Sequence, residues 1–348
     1  MVNGTKVMEL AANLPWLAIF DEVTIYTKSY IPIVFIVMGI VGNVVTLIVF
    51  IRQKSWHKQG LHYLFCLALT DLGCIVFQAV PVWLEDGLRD MTGARFYLSI
   101  ITSSSVVCKI LRYLWTVSTF MSSWIIVAFT VERTIAVLKP LHAYKFSSVK
   151  RRKTVLAAMF VVCASIVVVY VFTFNTYYND DQMVCLLDNR LQGTILYTIS
   201  VIMYAFGVYI IPCFALTVLN LTIISVVRSG MAASINESAA TKHRSLTINL
   251  LLISSLFTVL MVPSAIGWAA FFLLRKGLTP LDNRRFVNLN QFLTVISQAN
   301  YSTNFIIYAR RFDFFVPTVR AIVRCRRCYG VPKNTGPAKE DSSRDVKN

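Results

Sequence analysis

Apolar residues come in seven long runs, separated by short stretches where charge, Gly, Pro and Asn collect. The runs cover approximately Tyr30–Ile51, Leu61–Leu84, Ile110–Leu138, Thr154–Phe174, Thr194–Val227, Leu246–Leu274 and Phe286–Ala309. Each reaches the length of about 20 residues that an apolar helix needs to cross the hydrocarbon of a bilayer. The first and fourth are close to uninterrupted. The third carries Arg112, and the seventh carries Asn288, Asn290, Gln291, Gln298, Asn300 and Asn304. Polar membrane helices line the protein interior or a wet cavity rather than face lipid. The pattern predicts an all-α membrane protein, a seven-transmembrane helix bundle. After the seventh run, Phe312, Phe315, Val319 and Ile322 recur at helical spacing among basic residues, which predicts a short amphipathic eighth helix lying on the membrane surface.

Composition agrees with the pattern. The 348 residues are 56% hydrophobic and only 15% charged, against about 25% charged in soluble domains; mean hydropathy is +0.62. Charge then sets the orientation. With the N-terminus outside, the inner segments hold 23 of the 34 Lys and Arg and 6 of the 17 acids, so the net charge of +17 falls on the cytoplasmic side. The basic pI of 9.7 is thus a topology signal and requires no nucleic acid. The expected organisation is an outer tail at 1–28, a bundle at 29–309, the amphipathic helix at 310–324 and a polar cytoplasmic tail at 325–348. Lys6 and Glu9 break up the first stretch, so no cleavable signal peptide is expected.

Candidate chemistry concentrates at a few positions. Asp71 lies deep in the second run, where a carboxylate is either a functional group or the partner of Asn43 in the first run. Arg112, Trp115, Thr116 and Thr119 share one face of the third helix. That helix ends in Glu132-Arg133-Thr134, which marks either the membrane edge or a switch facing a cytoplasmic partner. The cluster Lys150-Arg151-Arg152-Lys153 reads as a solvated interfacial anchor. Pro212 and Pro263 free backbone carbonyls and favour kinks in the fifth and sixth helices. Cys66, Cys74, Cys163 and Cys213 fall in spans and read as apolar filler. Cys108 and Cys185 both fall on the oxidising side, where a disulfide between them is allowed. Cys325 and Cys328 are candidates for acylation, and Asn3 is an acceptor sequon for glycosylation in the outer tail. No metal cluster, nucleophile–base pair or phosphate loop points to an enzyme.

Asn43, Asp71, Cys108, Glu132-Arg133-Thr134, Cys185, Pro212, Phe257 with Pro263, and Asn304-Phe305-Ile306-Ile307-Tyr308 stand in one order. That ordered set, over about residues 28 to 325, resembles the rhodopsin-like (class A) G-protein-coupled receptors. The resemblance implies a plasma-membrane receptor with an extracellular N-terminus, an extracellular ligand and a heterotrimeric G protein as partner. It implies a Cys108–Cys185 disulfide, a G-protein switch of Glu132, Arg133 and Tyr308, and an allosteric sodium site at Asp71, Ser122, Asn300 and Asn304. More weakly, the chain resembles invertebrate neuropeptide receptors of the FMRFamide-receptor-like type.

Departures from the family pattern shape the expectations. Phe305 stands where Pro is usual, so the seventh helix should bend less; Met261 replaces the Trp before Pro263; Asn220 stands where Tyr is common. The family's Trp of the fourth helix is missing. His243 stands where some members carry an acid that locks the Arg, so Arg133 should be held mainly by Glu132, with raised basal activity. Trp115 occupies the amine counter-ion position, and no Lys lies in the seventh run to hold retinal. What remains is an aromatic-polar ligand cavity of Arg112, Trp115, Thr119, Tyr204, Trp268, Asn290, Thr294 and Gln298. Arg112 either meets a ligand carboxylate or carbonyl, or pairs with Asp180, Asp181 or Asp188. The expected ligand is a neuropeptide; a small-molecule chemosensory receptor is the alternative, with a seven-span channel or transporter behind it.

Overall fold

The computed structural model describes residues 15–52, 61–93, 98–139, 148–179, 182–191, 193–228, 237–274 and 280–324. Asn3, Cys325, Cys328 and the whole expected tail 325–348 lie outside the described residues. Seven long helices follow one another: α1 (Pro15–Arg52), α2 (Leu61–Thr92), α3 (Ser105–Leu138), α4 (Val149–Thr173), α5 (Ile195–Arg228), α6 (Glu237–Leu274) and α7 (Pro280–Arg311). A short α8 occupies Phe315–Val323. Helices α1 to α6 are each long and apolar enough to cross a membrane. α7 is not among them, because its Asn and Gln residues dilute the hydropathy, yet it is helical over its full length. α1 packs on α2, α5 on α6, and α6 on α7, and α7 returns to α1, closing the ring. α3 runs through the middle, touching α2, α4, α5 and α6, and is the most buried of the spans. The fold is a seven-helix bundle.

The contact between α1 and α7 is polar and close. Asn43 Nδ2 donates to the Tyr301 carbonyl at 2.9 Å, and Ser302 Oγ donates to the Phe35 carbonyl at 2.8 Å. In hydrocarbon such side-chain bonds replace the water a soluble helix would use, each contributing about 0.6 kcal/mol. Gly42 lets the Phe305 ring lie directly against the α1 backbone; a Cβ there would sit 2.2 Å from Phe305 Cδ1. Phe305 therefore fills a socket on α1, and α7 stays α-helical through it.

Prolines in α2 and α5 are absorbed by π-helical turns rather than by simple breaks. The turn Ala205–Ile210 precedes Pro212, and Ile75–Ala79 precedes Pro81. A wider turn rearranges the carbonyls that proline cannot bond. In α5, the Gly207 carbonyl accepts from Trp124 Nε1 of α3 at 2.9 Å, so a neighbouring helix uses the displaced acceptor.

Two segments differ from the sequence expectations. α1 begins at Pro15, inside the expected outer tail, since proline suits a first helical turn whose N–H groups are unbonded anyway. Its early turns dock on α2 through a Lys28–Asp90 ion pair at 2.9 Å and a Trp83 Nε1 bond to the Ser29 carbonyl at 2.7 Å. α2 itself continues to Thr92 and stops at Gly93, whose φ of +60° ends the helix in a left-handed turn. The polar stretch after α4 forms an antiparallel hairpin of β1 (Phe174–Asn179) and β2 (Gln182–Leu187), with Thr176 opposite Cys185. Its Thr, Tyr and Val residues favour strand.

Candidate functional site

Three polar layers stack along α3. At the hairpin end, Cys108 at the start of α3 is bonded to Cys185 in β2, and Ser105 hydrogen-bonds Asn175 of β1. The start of α3 is set by Ser104, whose side chain accepts from the Val107 amide at 3.2 Å. One turn further, the half-buried Arg112 guanidinium lies 5.5 Å from the ring centres of both Trp115 and Phe174, and its Nη2 donates to the Cys185 carbonyl at 3.3 Å. Cation–π contacts of this kind contribute about 0.5–2 kcal/mol each, and they hold the guanidinium between α3 and the hairpin. Trp115 in turn lies 5.6 Å from Tyr204, whose hydroxyl meets Tyr209 at 3.1 Å.

Asp188 is not the partner of Arg112: it binds Arg190 at 3.2 Å and accepts from the Arg190 amide at 2.9 Å. Burial pushes the Asp188 carboxyl up, but those bonds outweigh it and hold the group below its ordinary range. Among the described residues Arg112 has no ion pair within 4.0 Å, although Glu85 and Asp86 of α2 act on it electrostatically. Of the other expected cavity residues, Thr119 is buried and its hydroxyl donates to the Trp115 carbonyl at 2.9 Å. Thr294 donates to the Asn290 carbonyl at 2.7 Å. Asn290 donates to the Phe286 carbonyl at 3.1 Å and points Oδ1 at Gly267 of α6. Its Oδ1 and that of Gln298 (Oε1) are buried without a hydrogen-bond partner among the described residues. Trp268 is half-buried on α6. Direct contacts thus gather Arg112, Trp115 and Tyr204, while Asn290, Thr294 and Gln298 form a second group along α7.

The middle layer surrounds Asp71, which is fully buried. Its two oxygens accept from Ser122 Oγ at 2.7 Å and Asn304 Nδ2 at 2.8 Å. Asn43 donates instead to the Tyr301 carbonyl, so Asp71 is bonded by Ser122 and Asn304 rather than by Asn43. Among the described residues, Asn300, also fully buried, has neither amide atom bonded, and Asn304 Oδ1 is likewise without a partner.

At the far end lies Glu132. Arg152 Nε of α4 reaches its two oxygens at 3.0 and 3.2 Å, whereas Arg133 Nη2 stands 3.9 Å away. The Tyr63 hydroxyl of α2 also bonds Glu132, and its ring stacks on Phe129 at 5.4 Å. Arg133 lies 5.2 Å over that same Phe129 ring. The side chains of Arg133 and Arg152 are only 4% and 3% exposed. Two expectations change here. Arg152 is a buried ion-pair partner rather than part of a solvated anchor, and Glu132 binds Arg152 more closely than it binds Arg133. The missed signal is a spacing: Arg152, Leu156, Met159 and Cys163 fall on one face of α4, and three of them are buried. Tyr308 is fully buried against Phe50, at 6.0 Å between rings, and Phe312. The His243 side chain lies outside what is described. Asn220 accepts from Ser254 Oγ at 2.9 Å, tying α5 to α6.

A bundle of seven helices with α3 at its centre, and with charged and amide groups turned inward, defines a seven-helix membrane receptor. Residues 42–308 match the family model "7 transmembrane receptor (rhodopsin family)", and the chain belongs to that family. It is a receptor and not an enzyme. Rat galanin receptor type 1 is 25% identical over 329 residues, 89% of this chain and 85% of that protein. Mouse vasopressin V1b receptor is 29% identical over 163 residues, 46% of this chain and 35% of that receptor. The Caenorhabditis elegans neuromedin U receptor homolog nmur-2 is 31% identical over 114 residues, 33% of this chain and 26% of that protein. The matched stretch thus spans about a third and a quarter of the last two relatives.

Proposed function

We propose that the chain is a plasma-membrane receptor that carries the signal of an extracellular neuropeptide to heterotrimeric G proteins. Support for the ligand class comes from relatives named for galanin, vasopressin and neuromedin U. The site observation that carries the reading is Arg112, a cation held between Trp115 and the hairpin without a close carboxylate. A peptide carbonyl or carboxylate supplies the acceptor that its buried Nε lacks. The unbonded amide oxygens of Asn290 and Gln298 suit backbone N–H donors. The hairpin end faces outward and the Glu132 end inward, a reading that the distribution of Lys and Arg supports. Asn3 then stands where glycosylation occurs, and Cys325 and Cys328 stand where acylation occurs.

Ligand binding biases a two-state bundle, since it stabilises one arrangement more than the other. Arg133, always protonated and carrying five donors, leaves Glu132 and Phe129 to meet the G protein as the inner end opens. Tyr308 leaves its aromatic cluster in the same transition.

The Asp71 layer fits a sodium ion. A carboxylate, the Ser122 hydroxyl and the unbonded amide oxygens of Asn300 and Asn304 are hard oxygen donors in a water-poor site. When bound, the ion supplies positive charge that fixes Asp71, and it favours the closed arrangement of α2, α3 and α7. The proposal is tested by a calcium and cAMP screen of neuropeptides and small odorants on cells expressing the full chain. A response confined to peptides is expected; a response to small odorants alone overturns the ligand class.

A further inference from the structure

Glu132 has two arginines within reach, and the nearer one is not its neighbour in the motif. Arg152 Nε sits at hydrogen-bonding distance from both carboxylate oxygens, 3.0 and 3.2 Å. The approach of Arg133, at 3.9 Å, is electrostatic only, because it exceeds hydrogen-bond length. Tyr63 takes a further lone pair of the same carboxylate. A carboxylate has about four acceptor sites in all; the single Arg152 Nε–H is shared between its two oxygens, and Tyr63 bonds it as well. Arg152 is held in place independently: it lies in the first turn of α4, where Ser148 caps the helix by accepting from the Arg151 amide at 3.2 Å. Arg152 and Leu156 are both buried on the α4 face that meets α3.

We propose that Arg152 is a positioning residue that draws Glu132 away from Arg133 and so sets the ligand-independent activity of the receptor. Two cations share one carboxylate, and each weakens the hold of the other. Removing Arg152 takes away the competing cation, so Arg133 pairs with Glu132 at closer range and is harder to release. The receptor becomes quieter, not more active. The direction is the distinguishing feature, because loss of a merely structural ion pair loosens the inner end instead. This inference rests on the reading of Arg133 as the group that meets the G protein.

The test measures GTPγS loading of purified heterotrimers, one from each main Gα class. Membranes carry equal surface amounts of the full-length receptor, and no ligand is added. Wild type is expected to load above Arg133→Ala. Arg152→Gln is expected to fall about two- to fivefold below wild type, the lower part of the range by which a residue touching neither ligand shifts coupling between two sites. Arg152→Lys, which keeps the charge but loses the planar fork, should fall between them. Glu132→Gln should raise loading, and adding Arg152→Gln to it should change nothing further, since the shared carboxylate is gone. Arg152→Gln loading equal to or above wild type overturns the inference, as does wild-type loading no higher than that of Arg133→Ala. If Glu132→Gln also loads no Gα class, the reading of Arg133 itself fails. Should Arg152→Gln not reach the surface, Arg152→Lys decides, and wild-type loading by it is the refuting result.

Discussion

Replacing Asp71 with Asn separates the hydrogen-bonding role of this buried carboxylate from its charge. In the wild type the side chain accepts from Ser122 at 2.7 Å and Asn304 at 2.8 Å. Asparagine keeps one acceptor oxygen and turns the other into a donor. Ser122 can reverse its hydroxyl to accept from that donor, so the substitution loses at most one bond, about 1 kcal/mol. The protein should fold and reach the surface. Its response to sodium should change far more. Sodium present at about tenfold its dissociation constant stabilises the bound state by about 1.4 kcal/mol. For a chain of this size that corresponds to a Tm rise of about 2 °C. The assay is thermal unfolding of the purified full chain in lipid nanodiscs, in sodium chloride against choline chloride at matched ionic strength. Wild type should gain the rise and Asp71→Asn should lose it, with similar Tm values in choline. An equal rise in both proteins places the cation elsewhere; no rise in wild type removes the cation site altogether.

Other expectations follow from single contacts. Gly42→Ala drives a methyl into the Phe305 ring and should destabilise the α1–α7 contact by about 1–3 kcal/mol; a Tm loss relieved by adding Phe305→Ala is the check. Cys185→Ser should cost about 2–4 kcal/mol and leave the hairpin, now untied from α3, open to limited proteolysis; unchanged protease resistance would contradict the anchoring role of the bond. An epitope at the N-terminus should stain on intact cells and one at the C-terminus only after permeabilisation; the reverse pattern overturns the orientation and the channel alternative returns.

What could be read from the sequence follows what the bilayer imposes. Seven runs were visible because spanning segments must be long, apolar and helical; α7 is the one whose amides dilute its hydropathy, although it is helical over its full length. The Cys108–Cys185 bond came through resemblance and stands in the structure. The π turns did not show, because they depend on who accepts a displaced carbonyl: Gly207 needs Trp124, which lies on another helix. Asp71 was legible as a group needing a partner, but the partner weighed from the sequence was Asn43, and the structure gives Ser122 and Asn304. Arg152 was hidden for a different reason. Four consecutive basic residues look solvated, and which one turns inward depends on the phase of α4 against Glu132, 20 positions earlier. Likewise Asp188 looked available to Arg112 until its own neighbour Arg190 was seen to hold it.

The central claim is that the Glu132 end of α3 passes a peptide signal to a G protein through Arg133. The most direct measurement takes a peptide that activates the expressed chain and compares wild type with Arg133→Ala at equal surface amounts, recording peptide binding and the calcium or cAMP response together. The account predicts that binding stays within a few-fold while the response disappears, because Arg133 lies far from the Arg112 layer. A full response from Arg133→Ala would contradict it.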